Sequence, residues 1–577
     1  FSLDVDIIKN MLSAKVLYGL NKENTSRDSY IPSDIYYALQ RKSRGNLGYG
    51  KRQQSTLEGT LTFQHKFGEL LDMNLMAGMG RYLDSGDGSD ISYENANDHI
   101  QGSSVGMADG PFYPTSYKYK NEKRSQFVRG SFDLFGRYVV SASLRRDGTD
   151  KFFPSKKYAL FPSVSLAWKM NEESFIKNIS WINMLKLRAS YGETGSDNLG
   201  TTLYGIVTTT REDVQFNNNS VTYIPYILSG ANYEDVTWQK TVMKNIGLDF
   251  SIFRDRIWGS VDVFRNDVTH LLGTAPTELL GMHGTRPING GHYKRTGVDV
   301  SLNSLNLQAH DFKWTSQITM SHYNAVWIER MPNYDYQKYQ KRKNEPMNAF
   351  YYYKTTGIID VDKSNMPESQ RSLGPAACMP GYPIVEDKNG DGIIDVNDSY
   401  MDNMLPKLYF GFGNTFTWKN FDLDIFMYGQ LGVKKWNDAY SYSADAGNLS
   451  RGVDAHNVGI YSYNIWNTQT NTNGHFPGIA ISKSVALPEN LGFDYTRENA
   501  SYIRVRNITL GYNLGPKELS VFKGYIRGIR VFVDFQNPLT FTKYKGYDPE
   551  INTSSSNLTG GQYPQMRVYS IGAKLTF

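Results

Sequence analysis

Thr56-Leu57-Glu58-Gly59-Thr60-Leu61-Thr62-Phe63-Gln64-His65 alternates residue by residue between an apolar or small set (Leu57, Gly59, Leu61, Phe63) and a polar set (Thr56, Glu58, Thr60, Thr62, Gln64). Successive side chains of an extended chain point to opposite faces, so this segment is a strand with one apolar and one wet side. The pattern returns at Val128, Gly130, Phe132 and Leu134 against Arg129, Ser131 and Asp133. It returns again at Phe312, Trp314, Ile318 and Met320 against Lys313, Thr315, Gln317 and Thr319. Charges on the second face mean that it meets water, and the apolar face is free to meet lipid. About seventeen or eighteen such runs can be marked along the chain.

The connections between runs fall into two kinds. Short turns at Phe67-Gly68-Glu69, Phe135-Gly136-Arg137, Arg254-Asp255-Arg256 and Lys419-Asn420 join neighbouring runs directly. At the opposite ends the chain makes long excursions, roughly Asp84 to Glu122, Gly195 to Asp235, Glu329 to Pro406 and Gly432 to Asn499, rich in Gly, Asn, Ser, Tyr and Pro. Short turns on one rim and long loops on the other are the plan of an all-β, antiparallel transmembrane barrel with extracellular loops. The last run places Tyr569, Ile571, Ala573, Leu575 and Phe577 on one face. An alternating strand ending on an aromatic looks like a barrel-assembly signal, read from Tyr569 and Phe577.

Composition agrees. Aromatics make up 14% of the 577 residues, 41 of them Tyr, with 52 Gly, and the mean hydropathy is −0.49. Such a chain suits strands with one wet face and aromatics at the membrane interfaces. No run approaches the roughly 18 apolar residues a membrane-spanning helix needs. The single cysteine, Cys378, excludes a disulfide framework and a cysteine-based zinc site. A net charge of +5 on this length gives no electrostatic case for nucleic acid. The sequence opens at Phe1-Ser2-Leu3 without an initiator Met or an apolar leader, which suggests that a preceding segment lies elsewhere.

Several stretches, in order, resemble the SusC/RagA-like family of TonB-dependent outer-membrane transporters. They are Leu144-Arg145-Arg146-Asp147-Gly148-Thr149 with Phe161-Pro162-Ser163-Val164-Ser165, then Leu185 to Gly195, then Thr237-Trp238-Gln239-Lys240-Thr241 leading into Asn245-Ile246-Gly247-Leu248-Asp249. Gln239 stands where the family usually has Glu. Ala500-Ser501-Tyr502-Ile503-Arg504-Val505-Arg506-Asn507, Gln536-Asn537-Pro538-Leu539 and Tyr547-Asp548-Pro549-Glu550 complete the series. The resemblance implies a barrel of about twenty-two strands when complete, most of them in residues 1–577, with the plug domain and first strands outside this stretch. It implies TonB-dependent import of a bulky nutrient, an oligosaccharide or oligopeptide, in the outer membrane of a Gram-negative bacterium. The implied partners are a SusD-like lipoprotein, the TonB complex, an amino-terminal plug fragment and outer-membrane lipid. A passive porin or a surface adhesin on a similar barrel is the alternative.

Two constellations carry possible chemistry. Asp387-Lys388-Asn389-Gly390-Asp391-Gly392-Ile393-Ile394-Asp395-Val396-Asn397-Asp398 follows the spacing of an EF-hand calcium loop, with Asp in place of the final Glu. Its donors would be Asp387, Asn389, Asp391, the Ile393 carbonyl, Asp395 and Asp398, holding a structural Ca²⁺; an Asx-rich turn without metal is the other reading. Aromatics cluster in two loops, including Tyr334, Tyr336, Tyr351 and Tyr352 in one and Trp436, Tyr440, Tyr461 and Trp466 in the other. Such rings stack on sugars or peptide groups, or contact a lipoprotein. No nucleophile-elbow, zincin or Walker sequence occurs, so the reading is not that of an enzyme.

Overall fold

The computed structural model describes residues 1–33, 43–95, 105–199, 235–276, 285–332, 336–341, 344–437, 464–478, 487–495, 497–522, 525–546, 548–551 and 565–577, together with four short strands between residues 209 and 228. Seventeen strands form one large sheet. In chain order they are β1 (Ser2–Ile8), β2 (Leu12–Ile31), β3 (Arg44–Phe67), β4 (Leu71–Glu94), β5 (Phe112–Leu134), β6 (Tyr138–Thr149), β7 (Tyr158–Lys169), β8 (Ile182–Ser196) and β9 (Gln239–Ile252). They continue with β10 (Ile257–Pro276), β11 (Thr285–Ala309), β12 (Phe312–Glu329), β13 (Leu408–Trp418), β14 (Phe421–Leu431), β15 (Tyr502–Leu514), β16 (Gly528–Thr542) and β17 (Val568–Thr576). Each strand pairs antiparallel with the next, including β8 with β9, β12 with β13 and β14 with β15 across the long excursions. Among the described residues β1 pairs only with β2, and β17 only with β16.

The register lines the two side-chain sets up into faces. One row runs Leu12, Phe63, Leu75, Gly130, Ala142, Val164 across six strands, and the next runs Ala14, Leu61, Ala77, Val128, Leu144, Pro162. Leu61, Leu75, Val128, Leu144 and Val164 remain 38–54% exposed in the chain by itself. A soluble sheet would bury such a stripe; here it forms a continuous wall for hydrocarbon.

The other face carries ladders of charge. Arg188 on β8 donates to Asp249 on β9 at 2.8 and 2.7 Å and to Asp262 on β10 at 3.1 Å. Lys169 reaches Asp133 at 2.6 Å, and Thr415 donates to Asp424 at 2.6 Å. Gly247 lies in register between Arg188 and Asp262. A Cβ there would stand against Asp262 and 2.7 Å from the Arg188 guanidinium. Only glycine leaves that ion pair room to close.

The four expected short turns are present, between β3 and β4, β5 and β6, β9 and β10, and β13 and β14. Exposed Phe67, Phe135, Tyr138, Trp181, Phe253, Trp418 and Phe421 gather at this rim. Tyr138, Trp181 and Trp418 join an apolar ring to a polar O–H or N–H and so favour the membrane interface, with the Phe rings packed alongside as a belt. One expectation needs correction: Asp84 to Glu122 is not a long loop. β4 and β5 continue in register through it, from Asp84↔Asn121 to Tyr93↔Phe112. The reason is that beyond the lipid both faces are wet, so the strands keep their hydrogen bonds but lose the two-face contrast that marks them in sequence.

Candidate functional site

Above the wall, the excursions after β12 and β14 fold into one layer. Ala349–Tyr353 pairs antiparallel with Tyr400–Asn403 and parallel with Gly492–Phe493, so the two excursions share a sheet. Tyr353, Val385, Ile394 and Leu487 form one small core, and Ile359, Ala377, Tyr382 and Ile384 another. Gln370, fully buried, donates to the carbonyls of Ala377 and Pro383 at 3.0 and 3.1 Å and accepts from Val385 N–H at 3.0 Å. A polar side chain with its partners satisfied costs little in such a core and fixes its register. Sequence reading treated this region as turn-rich excursion; its scattered apolar residues lack strand or helix periodicity, which left the core unseen.

The acidic turn sits on this layer. Asp387 accepts the N–H groups of Gly390 and Gly392 at 2.8 and 2.9 Å, Asp391 accepts that of Ile393 at 2.9 Å, and Asn389 donates to Asp391 at 2.8 Å. Asp398 is fully buried and accepts Lys388 N–H at 2.9 Å and Asp395 N–H at 2.8 Å. Asp395 in turn caps the next turn by accepting Asn397 N–H at 2.7 Å, and its carbonyl takes the Tyr353 hydroxyl at 3.0 Å. Among the described residues, no three His, Cys, Asp or Glu side chains are gathered around a point where a metal ion would sit. The oxygen donors are hard and suit Ca²⁺ in kind, but the fold spends them on backbone N–H groups, and the Asn389 amide is turned toward Asp391.

The aromatic residues divide. Tyr351, Tyr352 and Trp466 are buried within the layer. Tyr351 donates to Glu345, and Tyr352 donates to Asp402 at 3.1 Å. Trp466 packs on Gly381, where a Cβ would come within 2.5 Å of the indole. Tyr336 lies under the Arg330 guanidinium at 5.2 Å. Trp436 is in the short strand Lys434–Trp436, paired with Arg497–Asn499. Tyr334, Tyr440 and Tyr461 lie outside the described residues. Tyr569 and Phe577 are exposed on the outer side of β17.

Asp402 is the electrostatic centre of the layer, receiving Lys434 at 3.0 Å, Arg497 at 2.9 Å and Tyr352 at 3.1 Å. Burial works to raise its pKa, but Lys434 and Arg497 outweigh it and hold the carboxyl below its ordinary range. Burial, reinforced by Asp402, pushes Tyr352 up to about 12.

A second cluster escaped the sequence reading. Arg504 is 2% exposed and binds Asp548 and Glu550 together. Tyr428 and Tyr502 also donate to Glu550, at 2.7 and 2.9 Å, and Lys435 donates to the Ile551 carbonyl at 3.2 Å. Both halves lie in family-like stretches, 500–507 and 547–550, yet nothing in their separation announced that they meet.

These features define a membrane β-barrel wall carrying a structured loop layer. The chain belongs to the TonB-dependent receptor-like β-barrel family, which it matches over residues 4–537. It is similar to the TonB-dependent receptor P3 of Formosa agariphila, at 27% identity over 98% of this chain and 56% of that protein. It is also similar to the TonB-dependent receptor SusC of Bacteroides thetaiotaomicron, at 27% identity over 80% of this chain and 44% of that protein. The chain thus spans about half the length of these relatives. In fold it resembles a chain of the RagAB peptide transporter, with a TM-score of 0.80 at 21% identity, covering 100% of this chain and 61% of that one. The SusC/RagA-like resemblance and the all-β antiparallel barrel wall hold, and the family is one of outer-membrane receptors and transporters.

Proposed function

We propose that this chain forms the greater part of the wall of an outer-membrane importer that takes up a bulky polar nutrient, an oligosaccharide or an oligopeptide, with energy supplied through TonB. The observation that carries this reading is the pairing of a lumen-facing charge ladder, centred on Arg188, with a cored loop layer on one rim. A polar lumen passes a hydrated solute, and a structured rim offers a seat for a lid. That lid is a SusD-like lipoprotein, with the loops extracellular. Further wall strands pair with β1 and β17 from polypeptide outside residues 1–577 in this reading, because an open sheet edge in hydrocarbon costs several kcal/mol for each unpaired backbone group; the plug is placed there by the family resemblance alone.

The likeness in fold to the RagAB peptide transporter favours a peptide substrate, and the SusC resemblance leaves glycans in play. Energy-dependent uptake separates both from a passive barrel. Cells expressing the full-length protein should accumulate labelled oligopeptide or oligosaccharide only when TonB is functional; uptake that persists without TonB would establish the porin reading, and surface binding without uptake the adhesin one. Tyr569 and Phe577 serve as the assembly signal in this reading, and removal of Phe577 is expected to lower the folded, heat-resistant fraction; an unchanged fraction refutes that role.

Calcium at Asp387, Asn389, Asp391, the Ile393 carbonyl, Asp395 and Asp398 is a proposal with a geometric requirement. The Asn389 amide must turn its oxygen inward and give up its bond to Asp391. The metal would clip the excursion after β12 and take no part in transport.

A further inference from the structure

We propose that the outer face of β2–β6, just beyond the apolar wall, is a docking site for phosphorylated lipid headgroups of the surrounding leaflet. This rests on the membrane-barrel reading and on the loop-bearing rim facing outward. On β4 and β5 the apolar surface of this face ends at Met79, 67% exposed and opposite Gln126, while on β2 and β3 it runs on through exposed Tyr18, Leu57 and Leu20. Two residues beyond Met79, Arg81 and Arg124 stand opposite each other. On β4 and β5 the face becomes basic from there, and on β2 and β3 from the row of Lys22 and Gln53. Lys120 and Lys22 occupy one higher row, opposite Ser85 and Gln53, and Lys51 and Lys118 flank Asp87 in the next. Arg146 faces Gln126 in the row of Met79, and its guanidinium lies 4.0 Å over the Tyr158 ring.

All seven cations are exposed. Among the described residues this stretch of the face holds against them Asp87 and, in the intervening row opposite Leu83, Glu122, which is taken up by Arg81 and Arg124 at 2.9 and 2.6 Å. Seven positive and two negative groups leave a surplus of five positive charges, derived from the register above. Lys22, Lys51, Lys118, Lys120 and Arg146 have no ion-pair partner among the described residues. Elsewhere on the wall Lys240 pairs with Glu193 at 2.5 Å and Arg265 with Asp267 at 2.8 Å, while the outward, exposed Lys244 stands without an ion pair among the described residues. What sets β2–β6 apart is that five unpaired cations cluster there within neighbouring rows.

The chemistry selects the occupant. From Arg81 to Asp87 the patch rises roughly 20 Å along the strand, less along the membrane normal once the strands tilt, which is the zone of headgroups and not of acyl chains. Lysine and arginine stems lie along apolar surface while their heads reach the interface. Guanidinium groups bind phosphate through paired donors, and each basic residue near an anionic surface strengthens binding by about fivefold. A phosphorylated glycolipid fits all three.

The test uses the full-length transporter, purified and placed in vesicles carrying lipid A in both leaflets, so that insertion direction does not matter. Wild-type protein should retain lipid A through delipidation, and the combined variant Lys51→Gln, Lys118→Gln, Lys120→Gln, Arg146→Gln should retain at least tenfold less by mass spectrometry, with heat-resistant folding intact. Dephosphorylated lipid A should bind the two proteins equally. Inorganic phosphate that displaced the lipid at millimolar concentration would show a free-phosphate site and overturn the lipid assignment, as would equal retention by both proteins. Biotinylation of the exposed Lys363, in the loop layer and away from the patch, reports the rim's direction separately in whole cells: retention without surface labelling there would overturn only the outward orientation.

Discussion

Arg504 holds Asp548 with one guanidinium nitrogen against both carboxylate oxygens, at 2.8 and 2.9 Å, 44 residues along the chain. The same arginine reaches Glu550 at 2.6 Å and Thr540 at 3.0 Å. Arg504 and Asp548 are buried, Glu550 is half-buried, and each is paired. The segment that follows β16 is thereby fastened to the wall beside β14 and β15.

Replacing Arg504 by Ala leaves the buried Asp548 without a counter-charge, a change that costs about 3–5 kcal/mol. We expect amide exchange across 544–551 to accelerate accordingly while exchange in β13 and β14 stays unchanged. Protection that remained at wild-type level would show that backbone contacts alone secure the segment.

The loop layer should loosen in acid. Asp402 has its folded pKa below the ordinary range, so its stabilising contribution is present above the unfolded value and is lost as pH falls through the folded one. Protease sensitivity of the layer should rise as pH falls below about 4, and Asp402→Asn should show raised sensitivity already at neutral pH. An Asp402→Asn protein with the wild-type acid profile would locate the transition in another carboxylate.

Gly247 leaves room for the ladder from Arg188 to Asp262. Gly247→Val must displace both side chains, an overpacking that costs about 1–3 kcal/mol. Unfolding temperature in detergent is the readout, and Gly247→Ala should fall between wild type and Val. A fully stable Val variant would mean that the ladder tolerates separation.

The acidic turn distinguishes two outcomes. If Ca²⁺ binds, titration calorimetry on the full-length protein should show a site that Asp387→Ala and Asp391→Ala each abolish. With no heat above background, the turn is held by its N–H bonds alone, and Asp398→Ala should still unfold it by freeing three backbone donors.

Much of the wall was legible in advance. Alternation at 56–65 and 128–134 specified strands of two faces, and the tight connections at Gly68, Gly136, Asp255 and Lys419 placed one rim, because a two-residue period and a short turn are local properties of the chain. The upper parts of β4 and β5 were missed for an equally local reason: water on both sides removes the contrast. The candidate site was half visible. Its acidic spacing and its aromatics could be read, but the direction in which Tyr351, Tyr352 and Trp466 point could not, since an aromatic ring fits a buried loop core as well as a binding surface.

By itself, then, the sequence determined that this protein is a wall of amphipathic strands with aromatic rims, since side-chain alternation and turn chemistry act over a few residues. The tertiary structure alone decided which distant groups meet: β12 beside β13 and β14 beside β15 across the excursions, Arg504 with Asp548, and the basic sector on β2–β6. Those meetings depend on register between strands, and register is set by the closing of many hydrogen bonds at once, a property that no single segment carries.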